Sequence, residues 1–262
     1  MTPIKRTVLN HFNSLADYYD EKCMNRRVFL SGIDNLILEH LRKRCSNGLK
    51  ILDVGCGTGR RTEKYKLSLE KSVVYGCDIS PIMINIARTR QIDKTILSDM
   101  SELQLKNESF NESFDVILCL FNSFGYLPDR EQRLRALTKF RGILKNDGLL
   151  FIDVMNRWHI REGLNFKKSI LSVVKTYVRS VFSPAMSSGD MYFSLSVNDK
   201  KVDGWVHGFS NSEIPLLLSR SGFSVKEKFC VGYDSGEIKK YFWQGQLFYI
   251  CEKHGKIKKE YQ

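Results

Sequence analysis

Ile51-Leu52-Asp53-Val54-Gly55-Cys56-Gly57-Thr58-Gly59 is the stretch on which the fold turns. Lys50 to Val54 reads as a buried strand, and Gly55 to Gly59 as a tight turn opening a helix. Glycines at such a turn let the backbone approach a ligand where side chains would block it. Two nucleotide-binding classes share this device, and spacing separates them. With glycines at 55 and 57, a dinucleotide fingerprint needs its third at 58 or 60. Those positions are Thr58 and Arg60, and the third glycine is Gly59. Asp53, just before the turn, would repel a pyrophosphate and attract an amino-acid ammonium. The turn therefore reads as a site for a ligand with a cationic amine and no diphosphate.

Working outward, Ser72 to Cys77 is a second strand, followed by Asp78 and a helix over 81–90 with Ser80 before Pro81 as its start signal. Lys94 to Ser98, Phe114 to Leu120 and Leu149 to Val154 read as further strands, with a helix over 130–145 and a turn at Lys145-Asn-Asp-Gly148. The alternation predicts an α/β fold, a doubly wound, seven-stranded, mostly parallel sheet. Asp78 closes the second strand, where a carboxylate can accept both ribose hydroxyls. Ile79 and Met83 follow on the same side and could sandwich an adenine. Asp99 and Met100 follow the third strand, placed for the adenine amino group. Singly, Asp78 could cap the next helix and Asp99 could merely end a strand. Three such acids in order, each at the carboxyl end of a successive strand, point to one nucleoside ligand.

Beyond Val154 the rhythm changes. Residues 164–182 carry apolar side chains at helix-face spacing with basic residues between. Asp190 to Val197 and Lys201 to His207 bracket Asn198-Asp199-Lys200, a hairpin signal. A helix capped by Ser210 or Asn211, with Glu213 in its first turn, ends at Gly222 and is followed by strands near 223–231 and 246–251. We expect a single domain over 1–262 with N-terminal helices over 1–48 and an inserted cap over 157–208.

The 262 residues carry 41 Lys plus Arg against 29 Asp plus Glu, a balance of +12. That favours nucleic acid or anionic metabolites as partners. The basic residues are dispersed and not interleaved with aromatics, so a solvated basic surface is the main reading. Seven cysteines without Cys-x-x-Cys spacing read as buried thiols of a cytoplasmic protein, with no disulfide frame and no metal site. No apolar run approaches the ~18 residues a spanning helix needs.

From Phe12 to Lys253 the pattern resembles the class I S-adenosylmethionine-dependent methyltransferases. The resemblance implies S-adenosyl-L-methionine as cofactor, with Asp53, Gly55 and Gly57 at its methionine part, Asp78 at the ribose, and Asp99 with Met100 at the adenine. Cys56, Ile79, Met83 and Leu120 complete the expected cofactor-binding set. His11 to Asp20 looks like the family's opening helix, whose Tyr19 would close over the sulfonium. Cys119-Leu-Phe-Asn-Ser-Phe-Gly-Tyr126 resembles small-molecule methyltransferases, in which this segment lines the methyl-transfer pocket. Asn122-Ser-Phe-Gly125 stands where nucleic-acid amino-methyltransferases have Asn/Asp-Pro-Pro-aromatic, which counts against methylation of a base amino group.

Methyl transfer from a sulfonium is a direct displacement, so the protein mainly aligns the reactants and keeps the pocket dry. Tyr18, Tyr19, Phe121, Phe124 and Tyr126 are candidate pocket aromatics. Where the nucleophile must lose a proton, His207 is the candidate base, with a structural histidine as the alternative; Tyr126 and His159 are further candidates. Arg27 or Arg157 could hold a carboxylate. The expected activity is transfer to an O or N atom of a small-molecule acceptor. The alternatives are a tRNA or rRNA methyltransferase and a non-catalytic cofactor-binding regulator. No membrane partner is expected, and the chain is read as a monomer or homodimer.

Overall fold

In a computed structural model of the chain, the described residues are 1–44, 47–103, 113–160, 189–197 and 199–254, with 171, 174 and 178 singly. The run that ends in the glycine turn forms β1 (Lys50–Val54), the centre of a seven-stranded sheet. Around it lie β2 (Val73–Asp78), β3 (Lys94–Leu97), β4 (Phe114–Cys119), β5 (Leu144–Val154), β8 (Phe223–Val231) and β9 (Gln246–Lys253). The order is β3-β2-β1-β4-β5-β9-β8, parallel from β3 to β5, with β9 antiparallel to both β5 and β8.

β1 is buried from Ile51 to Val54 because both its faces are covered. Leu52 and Val54 join the core shared with α6 (Arg130–Ile143) and α7 (Glu213–Arg220). Ile51 joins the opposite core with α3 (Arg27–Arg42) and α4 (Arg60–Ser68). Asp53 lies on that second face, which sets its neighbours. Helix starts follow local chemistry. The Ser80 hydroxyl accepts from Met83 N at 3.1 Å to open α5 (Pro81–Ala87), and Asp129 accepts from Gln132 N at 2.8 Å to open α6.

Three features position the site. The N-terminal segment forms α1 (Pro3–Leu15), a 3₁₀ turn at Ala16–Tyr18 and α2 (Tyr19–Met24) ahead of α3. The predicted hairpin is β6 (Asp190–Val197) with β7 (Lys200–His207), a separate two-stranded sheet packed on α1. The first strands turn back at the β1/β4 boundary, opening a crevice at their carboxyl ends.

One boundary differs from the sequence reading. The predicted turn at 145–148 is an excursion inside β5, whose ladder passes from Phe114↔Leu144 to Val116↔Leu149. The helix expected over 164–182 lies outside the described residues except for Leu171, Val174 and Val178, which are helical and exposed. Among the described residues no helix is long and apolar enough to cross a membrane.

Candidate active site

The glycine turn is tied to the end of β2. Gly55 N and Cys56 N both donate to Cys77 O, at 2.7 and 3.0 Å, and Gly57 N donates to Asp78 Oδ2 at 2.9 Å. These three donors are therefore spent internally and are not available to a diphosphate, in agreement with the spacing. Gly55 has φ +77°, and a Cβ there would sit 2.5 Å from Ser123 Oγ. A Cβ on Gly57 would come within 3.4 Å of the Tyr19 ring. The turn is thus a cradle with no room for side chains.

Ser80 N donates to the second carboxylate oxygen of Asp78 at 2.8 Å, leaving lone pairs on both oxygens for further donors. Burial raises the Asp78 carboxyl above its ordinary value, against the pull of these N–H groups. Asp53 is more strongly affected. It is buried, accepts from Thr62 Oγ1 at 2.6 Å, and burial pushes its carboxyl up to about 6. A buried acid held so far up is stabilised by any cation brought to it.

At the end of β4, Phe121 and Asn122 both adopt left-handed backbone (φ 55° and 59°), a costly conformation for residues other than glycine. Buried Asp153 at the end of β5 accepts from Phe121 N at 2.5 Å, and Asn122 Oδ1 accepts from Met155 N at 2.8 Å, which hold the turn in place. Burial also pushes the Asp153 carboxyl up to about 6. The turn presents Phe121 and Ser123 to the crevice.

The crevice holds two adjoining cavities, of about 290 and 230 Å³, whose linings share Tyr19, Cys23, Gly55 and Phe121. Gly57, Asp78, Ile79, Asp99, Met100 and Tyr126 line the first. Asp53, Cys56 and Leu120 line the second, together with Arg27, Arg61, Lys64 and the buried Asp34, which accepts from Arg61, Lys64 and Tyr65. Asp99 is ion-paired to Lys5 of α1 and accepts from Ser101 N and Oγ, both at 2.8 Å. Phe12 packs edge-on against Tyr126 (4.8 Å) and Tyr19 (6.2 Å), so the N-terminal helices roof the first cavity.

Several sequence candidates lie elsewhere. Met83 lines neither cavity, because helical periodicity turns it into the core at 1% exposure; no adenine can be sandwiched against it here. Phe124 is core, and Tyr18 is exposed and outside the cavity linings. His207 is 1% exposed and lines neither cavity. Its Nδ1 is 2.6 Å from Asp190 Oδ1 and its Nε2 3.0 Å from Glu213 Oε1, so both ring nitrogens are committed to tying the hairpin to α7. It is a structural tie and not a base at the cavity. His159 and Arg157 are also outside both linings. Burial raises the Tyr126 hydroxyl well above the ordinary phenol range, so it stands neutral as a hydrogen-bond donor and not as a base.

Sequence reasoning missed Lys5, Asp153 and His11. His11 lies in the lining between Phe12 and Phe193, at ring distances of 5.4 and 5.1 Å, and burial lowers its imidazole's pKa. Only its place in a helix that resembles a cofactor-covering segment could have suggested it.

Residues 52–150 match a family model described as a methyltransferase domain. A putative methyltransferase of Geobacillus sp. is 29% identical over 228 residues, 82% of this chain and 90% of that one. A malonyl-[acyl-carrier protein] O-methyltransferase of Bacillus cereus is 30% identical over 163 residues, 61% of this chain and 56% of that one. Among solved structures, the CcbJ methyltransferase of Streptomyces caelestis superposes with a TM-score of 0.65 at 13% identity, covering 95% of this chain and 99% of that one. With its sheet order and the acids at successive strand ends, the chain belongs to the class I S-adenosylmethionine-dependent methyltransferases. S-adenosylmethionine is its cofactor. The donor set fits that group, since a closely approachable glycine turn, a buried acid seeking a cation and a carboxylate with open lone pairs stand side by side.

Proposed function

We propose that the enzyme methylates an O or N atom of a small-molecule acceptor. The observation that carries this reading is the first cavity itself. It runs from Asp78 and Gly55 to Phe12, Tyr126 and Phe193, under a roof made by α1 and the β6–β7 hairpin. With the cofactor's ribose and adenine taking the Asp78, Asp99 and Met100 end of this space of about 290 Å³, what remains beside Phe12, Tyr126 and Phe193 suits a small acceptor better than a strand of nucleic acid with its backbone. A relative named as an O-methyltransferase is in keeping with transfer to oxygen.

In this reading Asp53 takes the cofactor's ammonium, Asp78 the ribose hydroxyls, and Asp99 with Met100 the adenine. S-adenosylmethionine supplies an activated methyl group on a sulfonium. Of the four residues shared by the two cavities, Tyr19, Gly55 and Phe121 would border that centre, and the aromatic faces of Tyr19 and Phe121 suit positive charge. Residues 1–48 cover the cofactor, and the hairpin within 157–208 contributes Phe193 and Leu195 to the acceptor wall. The chain's own part is to align the acceptor and exclude water. A nucleophile that arrives neutral needs no base; one that must lose a proton finds the neutral His11 imidazole in the same lining.

The test is transfer of tritium from methyl-labelled S-adenosylmethionine into a cell extract separated into small-molecule, protein and RNA fractions. Label in the small-molecule fraction supports the reading. Label confined to RNA replaces it with the RNA methyltransferase alternative, which the +12 charge would serve.

A further inference from the structure

The charged groups around the first cavity do not balance. Asp78 is held by two backbone N–H groups, and Asp99 is paired with Lys5. Lys22 and Arg26 enter the same lining from α2 and the turn after it, at helical spacing from Tyr19 so that they share its face. Arg26 stacks over Tyr233 at 4.2 Å and reaches Asp234 only at 3.5 Å, near the surface. Lys22 is half-buried, and among the described residues its ammonium has no hydrogen bond or ion pair. Lys22 lines the same cavity as the buried His11 ring. The same lining carries Phe12, Leu15, Tyr126, Phe193 and Leu195 as its apolar part.

A cation partly withdrawn from water and left unpaired on an apolar wall is unfavourable unless a ligand completes it. The sulfonium of the cofactor adds positive charge to the same space, and an amine acceptor arriving as a cation would be repelled twice. We infer that the acceptor of this enzyme carries an anionic group, a carboxylate or a phosphate, anchored by Lys22 with Arg26 beside it. Its apolar ring or chain lies against Phe12, Tyr126 and Phe193. The anion is an anchor that fixes orientation, and it narrows the small-molecule class to acids. The inference rests on the small-molecule reading above.

The experiment uses full-length enzyme saturated with S-adenosylhomocysteine and a panel of aryl and alkyl fragments, each in matched carboxylate, phosphonate, carboxamide and amine forms. Binding is read by saturation-transfer NMR and calorimetry for wild type, Lys22→Met and Lys22→Arg, after confirming equal melting temperatures. We expect carboxylates or phosphonates to bind at least tenfold more tightly than their amide and amine partners, and the stronger of the two anions identifies the group. Lys22→Met should lose at least tenfold of that affinity with S-adenosylhomocysteine affinity unchanged, and Lys22→Arg should keep most of it. Amides or amines binding as well as the anions, no anion binding at all, or Lys22→Met binding anions like wild type would each overturn the inference. Because this readout is binding and not transfer, failure of the small-molecule reading shows separately, as tritium label in RNA.

Discussion

Lowering the pH should weaken cofactor binding through Asp53. Its carboxyl, pushed up from 3.8 to about 6 by burial, accepts only the Thr62 hydroxyl among the described side chains. With that value the group is about ten-elevenths ionised at pH 7 and about one-eleventh at pH 5. If the cofactor's ammonium binds the carboxylate form, affinity falls about tenfold between those pH values, or about 1.4 kcal/mol. Because the folded protein holds this proton more tightly than the unfolded chain, the contribution to stability runs the other way. Without ligand, stability is highest below pH 4 on this group's account and falls as pH rises through about 6, by an amount near 3 kcal/mol. Asp153, also raised to about 6 by burial, adds to that stability slope but lines neither cavity. The assay is calorimetric titration with S-adenosylhomocysteine from pH 5 to 8 in two buffers of different ionisation heat. About three-quarters of a proton should be released on binding at pH 5.5. Asp53→Asn, which Thr62 can still satisfy by turning its hydroxyl, should bind weakly, release no proton and melt higher than wild type at pH 7 without ligand. Affinity that is flat with pH, with no proton release, would refute the assignment of Asp53 to the ammonium.

Asp78→Ala should raise the dissociation constant for S-adenosylhomocysteine by about 10- to 150-fold, the range for losing a charged acceptor of about 1.5–3 kcal/mol; an unchanged constant in a folded variant puts the ribose elsewhere. Gly55→Ala, with its Cβ 2.5 Å from Ser123 Oγ and φ at +77°, should cost about 1–3 kcal/mol in denaturant unfolding and most of the cofactor affinity; wild-type behaviour would mean the turn relaxes freely. His207→Ala should destabilise by about 3–5 kcal/mol, because Asp190 and Glu213 lose their shared partner, and leave cofactor affinity within about twofold; loss of affinity with unchanged stability would restore His207 to the site.

The sheet was legible because both its signals are local. A two-face-buried strand reads as a continuous apolar run, and the turn after β1 needs glycine at a backbone conformation other residues resist. The helix at Pro81 announced itself through Ser80 for the same reason. What was not legible depends on pairs far apart in the chain. Lys5 meets Asp99, and Asp153 supports Phe121 N, across distances no periodicity reports. The strained pair Phe121 and Asn122 carries no glycine to betray it. His207 looked like a base because it ends the hairpin beside the expected pocket, yet the two carboxylates that claim its ring become neighbours only on folding. Met83 followed Asp78 in sequence, but one helical turn carries it round to the buried face.

A crystal structure with S-adenosylhomocysteine tests the assignment of the site most directly. The expected result has the adenine beside Asp99 and Met100, the ribose hydroxyls on Asp78, and the amino group at Asp53. The sulfur should then lie between Tyr19 and Phe121, with its open side toward Phe12, Tyr126 and Phe193. A ligand bound in the reverse direction, or a sulfur whose open side faces bulk solvent, would contradict the account.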